Sequence, residues 1–150
     1  MTDSGLFPGG RVGPGSVSVS HTGARSFAGQ NERGDTVRIG SVEVPEHFTP
    51  GALFKLALAG CAGMSSDRVI ARRLGENFAE MIWAHDTSDE KEDRYFAADE
   101  EIVLYLDALS VAERNKLMTI IRKSIDSSCT ISRSVRDSVE FTLTVDGSER

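Results

Sequence analysis

Cysteine and histidine are scarce in this chain of 150 residues, with two of the first and three of the second. His21, His47 and His85 lie far apart, and no HxH, HExxH or CxxC spacing sets them or the cysteines in ligand register. No metal is therefore expected. A GxxxxGK[ST] phosphate loop is missing, and the "GARSFAG" stretch has no strand-to-helix context of the kind a dinucleotide fingerprint requires, so no cofactor is expected either. Runs of Lys and Arg are absent and the net charge is −6, which argues against nucleic acid as a partner. Long hydrophobic runs are lacking as well. The most apolar stretch, residues 52–64, is broken by Lys55 and falls short of the roughly 20 residues a membrane helix needs, so it reads as a core helix and no membrane partner is expected. The first fifteen residues hold five glycines and two prolines and no continuous apolar segment, which reads as a flexible arm rather than a secretory signal. A cytoplasmic location follows as the expectation, and there two cysteines are redox-active thiols more often than a static staple.

What is present suits one ordinary domain over residues 16–150, with 39% hydrophobic and 27% charged residues. Residues 16–20 alternate Ser and Val as a half-buried strand does. Residues 23–35 read as a polar, glycine-containing loop, and residues 36–44 as a second strand with Gly40 as a turn or bulge. Thr49 and Pro50 open a helix as cap and first residue, and Arg72, Arg73 and Gly75 close it. Gly60 and Gly63 inside that helix, each costing ~1 kcal/mol against Ala, imply a packing or site requirement. Residues 79–87 read as a strand whose Trp83 serves core or dimer-interface packing. The acid-rich residues 86–101 read as a solvated loop or hairpin extension, and residues 102–106 as another strand. Ser110 with Glu113 is a capping box for a helix that ends near Ser127 and Ser128, placing Cys129 at a helix–strand junction. Residues 137–145 alternate as a closing strand. Two helices separated by strand pairs give an α+β fold.

The cysteines remain as candidate chemistry. Cys61 lies in a helix, so the Gly60-Cys61-Ala62-Gly63 stretch has no strand before it and is no nucleophile elbow. Each thiol is either a small buried hydrophobe or a redox centre. Small neighbours leave space near the Cys61 sulfur, and a helix end suits a mobile resolving thiol, but spacing alone decides neither way.

Three stretches carry a resemblance that does bear on the choice. "TPGALFKLALAGCAG" (residues 49–63) resembles the first cysteine motif of the OsmC/Ohr family, N-P-E-x-L-L-x-A-x-x-x-C. "LSVAERNKLMTIIRKSIDSSCTISRSV" (residues 109–135) is similar to the family's second helix and second cysteine motif, C-P-[VI]-S-[RN]. Thr22-Gly23-Ala24-Arg25 is similar to its T-G-G-R. The resemblance spans residues 16–146. It implies an OsmC-like fold, with cysteine-bearing helices in the middle of an intertwined homodimer and sheets outside. It further implies a thiol peroxidase acting on organic hydroperoxides, with Cys61 peroxidatic, Cys129 resolving and Arg25 stabilising the thiolate. The resulting disulfide would be reduced by small dithiols or a lipoylated protein.

Two positions depart from the family pattern. Gly51 stands where the peroxidase members have the glutamate that orients the arginine, and Thr130 stands where the second motif has proline. Glu46 and His47 are the nearby candidates to replace that glutamate. Without a replacement, the alternative is a non-catalytic or redox-sensing OsmC-like stress protein.

Overall fold

Turn chemistry starts the chain's first sheet. Strand β1 (Val17–Gly23) meets β2 (Ser26–Asn31) in a hairpin whose two-residue turn is Ala24-Arg25, with Arg25 in the left-handed region at φ 58°. Asn31 then turns the chain again: its side-chain oxygen accepts from the backbone N–H groups of Arg33 and Asp35, and β3 (Thr36–Gly40) follows antiparallel to β2. The computed structural model describes residues 15–146 together with the backbone of Ser148 and Glu149, and it divides into two compact units after Leu53. The arm expected over residues 1–15 lies, apart from Gly15, outside the described residues.

Strand β2 replaces much of the loop expected at residues 23–35. It has no β-branched residue to announce it. Close approach stands in for propensity: a Cβ at Gly29 would come within 2.9 Å of Val37 Cγ1 on the neighbouring strand. The second strand stops at Gly40, four residues short of the expected Val44. A Cβ there would meet His47 Cβ at 3.1 Å and the Arg25 carbonyl oxygen at 3.2 Å, because the chain turns back at Ser41. Phe48 then pairs beside Ile39. The half-buried strand expected at residues 16–20 is exposed on both faces, with Val17 72% and Val19 58% accessible.

The second unit contains helix α1 (Pro50–Leu74), less its first turn, with α2 (Val111–Ser128) and α3 (Thr130–Val135). Its sheet has the order β4 (Glu80–Asp89), β5 (Arg94–Leu104), β6 (Glu140–Val145), β7 (Ser148–Glu149), with β5 and β6 parallel. The end signals work as read. Thr49 Oγ1 accepts from the Ala52 N–H, Gly75 ends α1 at φ 90°, and Ser110 and Glu113 close a reciprocal capping box. The acid-rich segment forms a hairpin with two long strands. Asp89 caps its turn by accepting from Lys91 and Glu92, while Asp99 and Glu101 alternate outward against inward Ala98, Ile102 and Leu104. Trp83, opposite Glu101, is on the outward face and 62% exposed, so it is no part of this chain's core.

The apolar faces of α1 and α2 meet the inner face of the sheet around Ala62, Ile70, Ile102, Leu117, Ile121, Ile125 and Val145. A smaller cluster of Leu58, Ala98 and Val139 lies beside Phe54 and Phe141. The α+β class expected from the element order is the observed one. Strands β2 and β7 and helix α3 are its additions.

Candidate functional site

Helix α1 carries Cys61, half-buried, one turn before Ser65. A Cβ built at Gly60 meets nothing within 4 Å, whereas one at Gly63 would come within 3.1 Å of Ile82 Cδ1. The two glycines, for which a packing or site requirement was expected, differ: Gly63 lets α1 approach β4, and Gly60 has open space around it. Helix α2 is tied to α1 at this level by the Ser124 hydroxyl, which donates to the Ser65 carbonyl at 2.5 Å.

Cys129 is fully buried and is the single residue between α2 and α3. Its N–H donates to the Ile125 carbonyl at 2.9 Å, and its carbonyl accepts from the Arg133 N–H at 3.1 Å. The junction is thus helix to helix, not helix to strand. Helix α3 was hidden from the sequence because its six residues, four of them Ser, Thr or Arg, carry no apolar period.

The two thiols are brought together. Burial pushes the Cys129 thiol up from the ordinary cysteine value. The influence of Ser132 pulls it partly back, and the neighbouring Cys61 sulfur raises it further. The Cys129 proton is therefore held more tightly than in a free cysteine. Both residues are free thiols. Ser132, whose hydroxyl also donates to the Cys129 carbonyl at 3.2 Å, was missed in the sequence along with the helix that carries it.

Arg25 sits in the first unit, at the tip of the β1–β2 hairpin, where its carbonyl accepts from the Ser41 N–H at 3.2 Å. The two substitutes foreseen for Gly51 have other partners. Glu46 pairs with Arg38 at 3.2 Å, and His47 Nδ1 lies 2.7 Å from the Pro45 carbonyl oxygen. The carboxylate that feels Arg25 is Glu43: the Ser41 hydroxyl first, its own backbone N–H next and the Arg25 charge as well hold Glu43 below the usual carboxylate range. Reading residues 36–44 as one strand concealed this, since a strand would have carried Glu43 away from the hairpin tip.

An α+β protein with two apposed thiols on adjoining helices is the class that fold and site define. The chain belongs to the OsmC family: the family model for OsmC-like protein matches residues 43–144. An uncharacterized protein of Mycobacterium tuberculosis (strain ATCC 25618 / H37Rv) is 35% identical over 127 residues, covering 85% of this chain and 93% of that one. A hypothetical protein from Aquifex aeolicus VF5 has a similar structure, with TM-score 0.71 at 14% identity over 89% of this chain and 96% of that one. The organic hydroperoxide resistance protein OhrB of Bacillus subtilis has TM-score 0.57 at 16% identity, covering 87% of this chain and 96% of its own. At such identities the likeness to solved structures is one of fold.

Proposed function

We propose that the protein is a cysteine-based thiol peroxidase that reduces organic hydroperoxides to alcohols. The observation that carries this reading is the closeness of Cys61 to Cys129, near enough for the Cys61 sulfur to raise the Cys129 thiol. A Cys61 thiolate attacks the outer oxygen of the hydroperoxide, the O–O bond breaks, and the alkoxide leaves as an alcohol after taking a proton. Cys61 is then a sulfenic acid. The Cys129 sulfur attacks it, water leaves, and a disulfide joins the two residues. A dithiol, small or carried on a lipoylated protein, returns both to thiols.

A free thiol with pKa ~8.5 is only a few per cent ionised at neutral pH, so the reaction needs a cation beside Cys61. Arg25 is assigned that role, with Glu43 orienting it in place of the glutamate missing at Gly51. The working unit in this reading is a homodimer in a cytoplasm. Exposed Leu56 and Met64, both on α1, support a partner surface. The name of the B. subtilis neighbour is consistent with the substrate class.

Consumption of cumene hydroperoxide with dithiothreitol tests the proposal. Turnover is expected in the native chain and absent in Cys61→Ser, while Cys129→Ser accumulates a dimedone-reactive sulfenic acid. No consumption above the enzyme-free blank, with both thiols confirmed reduced, would overturn it. A second reading, a redox sensor without turnover, draws on Gly51 and on the exposure of Glu43. It predicts one reversible disulfide per chain and no catalytic cycle.

A further inference from the structure

Every acid of strand β5 but one faces outward. Glu100 points inward between Ala98 and Ile102, is only 4% exposed, and its Oε1 has no hydrogen-bond partner among the described residues. A buried unpaired carboxyl runs against the strand's own pattern, and such a group needs a compensating partner. Beside it lies a cavity of about 340 Å³ between β5, α2, α3 and β6, within the range of small-molecule sites. Its wall has three chemistries. Ile125, Phe141 and Leu143 are apolar, Ser132 and Thr142 offer hydroxyls, and Arg136, exposed beyond the end of α3, places a guanidinium at the mouth. One N–H of that guanidinium donates to the Asp126 carbonyl at 3.3 Å, leaving further donors in its fork.

We propose that this cavity binds a small zwitterion of the apolar amino-acid class, its ammonium on Glu100, its carboxylate on Arg136 and its side chain against Ile125, Phe141 and Leu143. A buried acceptor at the closed end and an exposed cation at the open end set the ligand's polarity. Neither a simple anion nor a neutral apolar molecule would satisfy the Glu100 oxygen. The remaining charged groups around it are Asp126 on α2 and Arg122, buried on α2, whose Nη1 donates to the Leu143 carbonyl at 2.7 Å on the strand beside Glu100. Burial raises Glu100 to about 7, so an arriving ammonium would displace a proton at neutral pH. The site is separate from the thiol contact but shares Ser132 with it.

Calorimetric titration of the full chain at pH 7 with leucine, 3-methylbutylamine and 4-methylpentanoate tests this. These probes carry both charges, only the ammonium and only the carboxylate. Leucine is expected to bind, with release of about half a proton per molecule measured across two buffers of different ionisation heat. The carboxylate-only probe should bind at least ~10-fold more weakly, the loss of one charge-assisted contact. Glu100→Gln should abolish both leucine binding and proton release, its fold being checked by circular dichroism at pH 5. Arg136→Gln should weaken leucine to the level of the amine and leave the amine unchanged. The proposal is overturned if 4-methylpentanoate binds as well as leucine, if the Glu100→Gln chain still binds leucine, or if none of the three binds at millimolar concentration.

Discussion

Cys129, buried between α2 and α3, lies close enough to Cys61 for that sulfur to help hold its proton more tightly than in free cysteine. Burial and the neighbouring sulfur act in the same direction there. A thiol-specific reagent at pH 7 is therefore expected to modify Cys61 and leave Cys129 unmodified in the native chain. Peptide mass mapping after brief labelling reads this directly, and equal labelling of both would contradict the asymmetry. Oxidation with one equivalent of hydroperoxide should then remove both thiols together, as a single intramolecular disulfide.

Glu46 is paired with Arg38, whereas Glu43 is held low by the Ser41 hydroxyl first, by its own backbone N–H and, least, by the Arg25 charge. In the proposed peroxidase, Arg25→Ala should lower peroxide-dependent turnover at pH 7 at least ~10-fold. Glu43→Gln should lower turnover by less than Arg25→Ala, and Glu46→Gln should leave it unchanged. The ordering of the three variants in one peroxidase assay is the check.

Stability should depend on pH through Glu100. Its carboxyl is raised from 4.5 to about 7 by burial, so the folded chain holds a proton that the unfolded chain releases. That sign means stability falls as pH rises from about 4.5 to about 7, then changes no further on this group's account. A shift of this size corresponds to about 3 kcal/mol. In Glu100→Gln this pH-dependent loss should vanish, so urea unfolding at pH 5 and pH 8 should give midpoints much closer together than in the native chain.

The two glycines of α1 should respond oppositely to alanine. Open space surrounds the position of a Cβ at Gly60, so Gly60→Ala is expected to stabilise the chain by about 0.5–1 kcal/mol through helix propensity. At Gly63 the new methyl would crowd Ile82, and the propensity gain should be cancelled or reversed. Thermal melting of the two variants side by side distinguishes these outcomes.

Helix ends were legible in the sequence because caps are local. Thr49, Gly75 and the Ser110–Glu113 pair sit within a few residues of what they satisfy. Strand β2 and helix α3 were not, since one depends on a partner strand closing over Gly29 and the other has no apolar period. The acid-rich hairpin was half legible: its outward acids suggested solvent, but only the β4–β5 register reveals that Glu100 faces in. As for the candidate site, both cysteines could be named from motif and helical context. Their apposition, the neighbouring Ser132 and the Arg25–Glu43 relation depend on contacts between residues whose meeting no local pattern announces.

Because both backbone hydrogen-bonding groups of Cys129 are already committed, one to Ile125 and one to Arg133, its sulfur is mounted on a pivot with little backbone slack. Drawing that sulfur into a bond with Cys61 leaves two courses. The side chain rotates alone, or α3 swings with it. In the second case the helix works as a lever arm, carrying Ser132 and, beyond its end, Arg136 with it, so that the oxidation state of one sulfur would set the width of the cavity that those two residues line.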